Sequence, residues 1–95
     1  MRYIDWDEKK NRKLKEERGV SFEEILILIQ EEKILEVTDH PNQKRYPNQK
    51  IFVVIIDEYV YMVPFVEDDM KYFLKTIIPS RKLTKKYLKK GGGNI

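Results

Sequence analysis

Hydrophobic and polar positions change period along this chain, and the changes predict its elements. From Asp5 to Gly19 almost every position is charged, and Trp6, Lys10 and Leu14 fall on one side of a helix. Asp5 and Glu8 have capping-box spacing, and Gly19 supplies a left-handed stop. Ser21 with Glu24 repeats the capping box, and Val20 and Ile25 have the spacing of a hydrophobic staple. The run Ile25 to Ile29 is apolar all round, as in a helix packed hard against a sheet.

The period then shortens. Lys33 to Thr38 predicts a short strand with Ile34 and Leu35 near the core. The stretch His40 to Lys50 contains Pro-Asn-Gln-Lys twice, at residues 41–44 and 47–50, and predicts a loop or irregular edge strand. Three segments rich in Val, Ile, Tyr and Phe predict strands over 51–57, 59–66 and 71–78. Asp57-Glu58 makes one hairpin turn, and residues 67–70 make another. Pro64 predicts a bulge or an unpaired edge. Tyr59, Tyr61, Val63 and Phe65 share a strand face by alternation. Ser80 caps a final helix over 81–90, with Leu83, Tyr87 and Leu88 as its apolar stripe, and Gly91-Gly92-Gly93 opens a flexible tail.

The order predicts an α+β domain over residues 1–90. Two N-terminal helices pack on a four-stranded, mostly antiparallel sheet, a basic C-terminal helix follows, and 91–95 trail. The sheet's second face is left open or for a partner. A chain of 95 residues has room for one domain. Without cysteine, disulfides, thiolate zinc sites and thiol nucleophiles are excluded. Nothing at the N-terminus reads as a signal peptide, and the apolar runs are too short to span a bilayer, so the expected location is the cytoplasm, without a membrane.

Charge divides the chain. Residues 1–39 carry 8 Lys/Arg against 11 Asp/Glu, and residues 40–95 carry 11 against 5. The basic half attracts phosphates at long range, and RNA is the polyanion it suits. His40 is the sole histidine, with chemistry suited to proton transfer near neutrality. Lys44, Arg45, Tyr46 and Lys50 crowd the adjoining loop, a mixture able to stack bases and hold phosphates. Arg81 and Lys82 open the last helix, where a guanidinium fork and a helix N-terminus suit a phosphate. Lys85, Lys86, Lys89 and Lys90 make a general electrostatic surface. Asp68-Asp69 reads as turn chemistry rather than a cation site. One histidine with no cysteine lacks metal-ligand spacing, and no cofactor motif is present.

Asp5-Trp6-Asp7-Glu8-Lys9-Lys10-Asn11, followed by Arg18-Gly19-Val20-Ser21-Phe22-Glu23-Glu24, resembles the opening of the BrnT toxins. Ile77-Ile78-Pro79-Ser80-Arg81-Lys82-Leu83-Thr84 is similar to that family's strand-to-helix segment. The resemblance runs from about Tyr3 to Tyr87. It implies a RelE-like fold and a type II toxin that cleaves RNA without a metal. It also implies a BrnA-like ribbon-helix-helix antitoxin, with operator DNA met only through the antitoxin complex. Many members carry a glutamate in the last helix, where this chain has Tyr87 and lysines.

These readings combine into a metal-independent endoribonuclease needing no cofactor. Arg81, helped by Lys82, would stabilise the phosphate; His40, Tyr46 or Lys50 would move protons; Lys44, Arg45 and Lys86 would hold the RNA backbone. The alternative is a non-catalytic RNA- or partner-binding module, including a corepressor acting with its antitoxin.

Overall fold

The computed structural model describes residues 2–89. The tail over 91–95 and the end of the predicted last helix at Lys90 lie outside the described residues.

In chain order the elements are β1 (Tyr3–Trp6), α1 (Glu8–Arg18), α2 (Phe22–Gln30), β2 (Glu36–Asp39), β3 (Gln49–Ile56), β4 (Tyr59–Glu67), β5 (Lys71–Leu74), β6 (Ile78–Pro79) and α3 (Arg81–Thr84). A π-helical turn, Lys85–Lys89, continues α3. The sheet has six strands in the order β1-β5-β4-β3-β2, with β6 also paired to β4. The pairing of β1 with β5 is parallel and the others are antiparallel.

The predicted sheet of four strands is therefore too small, for two reasons. Asp5 does not start a helix. It lies in β1, which pairs with a segment 68 residues further along the chain (Asp5 Oδ2 also accepts from Lys71 Nζ at 3.0 Å), a relation that no local pattern reveals. The helix cap is Asp7, whose carboxylate accepts from the Lys9 and Lys10 amides. The predicted last strand also splits. Pro64 turns its carbonyl toward that side, accepting from Lys75 N at 2.8 Å, but has no N–H to return. Pairing lapses there between β5 and β6, whereas β4 itself runs unbroken through Pro64, which pairs with Ile51 inside the sheet and not at an unpaired edge.

Strand β2 starts later than its apolar pattern suggests. Glu32 has φ +56°, Lys33 N bonds to Leu28 O and Glu32 N to Ile29 O. This is a Schellman ending of α2, and it consumes the residues that looked like the strand's beginning. At the other end of α2 both capping-box bonds between Ser21 and Glu24 are formed.

Side-chain alternation separates two faces. Leu14, Val20, Phe22 and Ile25 from the helical segment share one buried cluster with Phe52, Val54, Ile56, Val63, Phe65 and Leu74. Phe52 and Phe65 stack there with centroids 3.9 Å apart. The opposite face holds Ile51, Val53 and Val60, against which Leu83, Tyr87 and Leu88 pack. The predicted apolar stripe thus covers part of the face expected to be open. Thr84 Oγ1 accepts from Val60 N at 2.9 Å and Ser80 N donates to Val60 O, fastening the start of α3 to β4. No helix among the described residues is long and apolar enough to cross a membrane.

Candidate functional site

Loop 40–48 joins β2 to β3 and is organised by its own side chains. The Asn42 backbone N–H donates to His40 Nδ1 at 3.0 Å, and Asn42 Oδ1 accepts from Arg45 N at 3.1 Å. Tyr46 N donates to Asn42 O at 2.9 Å, and Gln43 Nε2 donates to His40 O at 2.7 Å. The Pro-Asn and Asn-Gln pairs that mark a turn in sequence are thus the residues that close it. Asn48 leaves the loop with φ +67°, a region asparagine tolerates.

That closure assembles three candidates. The His40 and Tyr46 rings have centroids 4.4 Å apart, and the Arg45 guanidinium carbon lies 5.5 Å from the Tyr46 ring centroid. His40 and Tyr46 are half-buried, while Lys44 and Arg45 are exposed. Because Nδ1 of His40 accepts a hydrogen bond, the neutral ring carries its proton on Nε2. That nitrogen is a donor, suited to an anionic oxygen.

Lys50 does not join them. Register places it with Phe65 on the α1/α2 side of the sheet, whereas His40 continues β2 on the α3 side. Lys50 Nζ is 3.2 Å from Glu67 Oε1, and Arg2 Nη1 is 3.5 Å from the same carboxylate. Sequence reading missed Glu67 because its partner depends on β3–β4 register.

Arg81, Lys82 and Lys86 are exposed along α3 and its continuation. Ser80 Oγ and O accept the amides of Leu83 and Thr84, so part of the first turn's donor capacity is already used. Arg81 follows the β6 segment that pairs with Tyr61, near the opposite end of β3 from loop 40–48. The offset is about six residues, or roughly 20 Å, along the strands. Arg81 and His40 therefore do not share one phosphate.

A further pair joins α3 to β2. The Tyr87 hydroxyl donates to Glu36 Oε1, and this hydrogen bond holds the Tyr87 pKa above its ordinary value. Lys86 Nζ lies 5.2 Å from the Tyr87 ring centroid. Glu36 thus brings a carboxylate to the last helix from another element, which only the fold could reveal. The Asp68 carboxylate accepts from the amides of Met70 and Lys71, and these bonds hold its pKa below the usual range. It is a turn residue, as its sequence context predicts. Among the described residues no group of three or more His, Asp or Glu is placed to hold a metal ion.

The α+β frame thus carries two separate clusters of cationic and aromatic side chains, His40, Arg45 and Tyr46 in loop 40–48 and the basic α3 toward the other end of β3. Comparison with protein families supplies the particular class: residues 6–86 match the ribonuclease toxin, BrnT, of type II toxin-antitoxin systems, and the chain belongs to that family. Comparison with curated proteins and with solved structures finds no match.

Proposed function

We propose that this chain is the toxin of a type II toxin–antitoxin pair and a metal-independent endoribonuclease of RelE-like architecture. The His40–Tyr46–Arg45 cluster, two tilted rings in contact with a guanidinium over one of them, carries this reading. In the proposed reaction the ribose 2′-oxygen bonds to the adjacent phosphorus and the bond from phosphorus to the 5′-oxygen breaks. The products are a 2′,3′-cyclic phosphate and a 5′-hydroxyl. The 2′-hydroxyl loses a proton, the leaving oxygen gains one, and the phosphorane needs positive charge.

His40 Nε2–H and the Arg45 guanidinium are donors for the non-bridging oxygens, with Lys44 beside them. Tyr46 takes the proton-moving role, since His40 Nδ1 is occupied by Asn42 and Lys50 by Glu67. Arg81, Lys82 and Lys86 guide the RNA backbone along α3. The partner is a BrnA-like ribbon-helix-helix antitoxin, operator DNA is reached only through that complex, and the setting is the cytoplasm.

One observation favours a second reading, a non-catalytic RNA- or partner-binding module that includes a corepressor. The fixed tautomer of His40 removes it from simple acid–base exchange. Purified wild type, Tyr46→Phe and Arg81→Ala, incubated with RNA in EDTA, separate the two. The nuclease reading expects cyclic-phosphate ends from wild type, loss in Tyr46→Phe, and weaker but retained cleavage in Arg81→Ala. Salt-sensitive RNA binding without cleavage by wild type supports the binding module; full cleavage by Tyr46→Phe removes the assigned site.

A further inference from the structure

The helix α3 packs over Ile51, Val53 and Val60, while the β1–β5 half of the same face carries a different surface. Register sets His40, Gln49, Val66, Phe73 and Asp5 in one row across that face. His40 N bonds to Gln49 O, Gln49 pairs with Val66, Val66 with Phe73, and Phe73 with Asp5. At ordinary strand spacing, Phe73 stands roughly 14 Å from His40. Alternation along β5 brings Lys71 and Lys75 to the same side. Each has its ammonium 5.6 Å from the Phe73 ring centroid. Tyr3 is 55% exposed, and Lys71 Nζ is 6.0 Å from its ring centroid.

Asp5 is the acid within this surface, and it forms an ion pair with Lys71 at 3.0 Å. The Asp68 carboxylate is occupied by the turn amides. Among the described residues Lys75 has no ion pair, so its charge is available to a phosphate. A phenyl ring flanked by ammonium groups, with an exposed tyrosine beside it, suits a base and its backbone better than it suits an apolar protein surface.

We propose that Phe73 and Tyr3, with Lys75 and Lys71, form a stacking subsite for a base of single-stranded RNA a few nucleotides from the phosphate held at loop 40–48. The position rests on the ribonuclease reading; the stacking does not. The strand would cross the sheet along the His40–Phe73 row.

The test compares a dinucleotide with a longer oligoribonucleotide as substrates. It also measures binding of the 2′-O-methyl form of the longer strand, which cannot be cleaved by this chemistry. Phe73→Leu removes the ring but keeps an apolar residue, and the exposed Lys75→Ala does not depend on repacking. On the longer substrate Phe73→Leu is expected to raise KM about tenfold and Lys75→Ala several-fold, with dinucleotide cleavage unchanged. The same variants should weaken binding of the 2′-O-methyl strand in parallel. If wild type cleaves nothing but that binding still depends on Phe73 and Lys75, the nuclease reading fails and the subsite stands. The subsite is overturned if neither variant changes binding, or if both substrates are slowed equally. Weakened antitoxin binding with unchanged RNA binding would make this a protein surface and also overturn it.

Discussion

The His40 ring lies 4.4 Å from the Tyr46 ring, and its Nδ1 accepts the Asn42 amide, leaving Nε2–H as its donor. A donor and an acid–base catalyst respond differently to substitution. Glutamine keeps a terminal N–H₂, whereas alanine keeps nothing. His40→Gln is expected to retain RNA cleavage to within about tenfold, and His40→Ala to lose on the order of a hundredfold, as when one oxyanion donor is removed. Initial rates on a single oligoribonucleotide decide this. Equal loss in both variants would return His40 to proton transfer.

Asn11 ties the N-terminal helices together. It is fully buried, its Oδ1 accepts from Phe22 N at 2.8 Å, and its Nδ2 donates to Glu23 Oε1 at 2.8 Å. Asn11→Ala leaves a buried amide without its acceptor and is expected to destabilise the fold by about 2–3 kcal/mol in urea denaturation. Glu23 adds a pH dependence. The Asn11 hydrogen bond, more than its other contacts, holds the Glu23 pKa below the ordinary value. A depressed folded pKa gives stability that is present above the unfolded carboxylate pKa and is lost as pH falls through the folded one. The acid limb of the stability curve should therefore be shallower in Asn11→Ala than in wild type.

The Tyr87–Glu36 hydrogen bond makes the opposite prediction. A raised folded pKa gives stability that is complete below the unfolded tyrosine pKa and lost as pH rises through the folded value. Melting temperatures measured from neutrality into the alkaline range should fall more steeply for wild type than for Tyr87→Phe. Parallel curves would mean that the bond contributes nothing to holding α3 on β2.

The hairpin between β3 and β4 turns on Asp57 and Glu58, with φ of +49° and +62°. Two left-handed residues define the turn that suits Asn-Gly, and glutamate is poorly matched to it. Asp57→Asn with Glu58→Gly should raise stability by about 1 kcal/mol. Cleavage of a dinucleotide, too short to reach α3, should be unaffected, since loop 40–48 lies at the other end of β3.

What the sequence determined by itself is local. Ser21 with Glu24, Gly19, Ser80, the Asp57-Glu58 turn and the central strands announce themselves through neighbours a few residues away, and the structure places them accordingly. The basic character of the loop and of the last helix was legible for the same reason. The fold decided whatever depends on a distant partner. Asp5 looks like a helix cap until Lys71 takes its carboxylate, and Lys50 looks available until Glu67 faces it. Arg81 and His40 appear as one site in a basic half-chain, yet β3 separates them by most of its length. Glu36 meets Tyr87, and Phe73 aligns with His40, only because strand register fixes which side chains share a face. A one-residue slip would reverse that, and register is set by packing of the whole sheet rather than by any one segment.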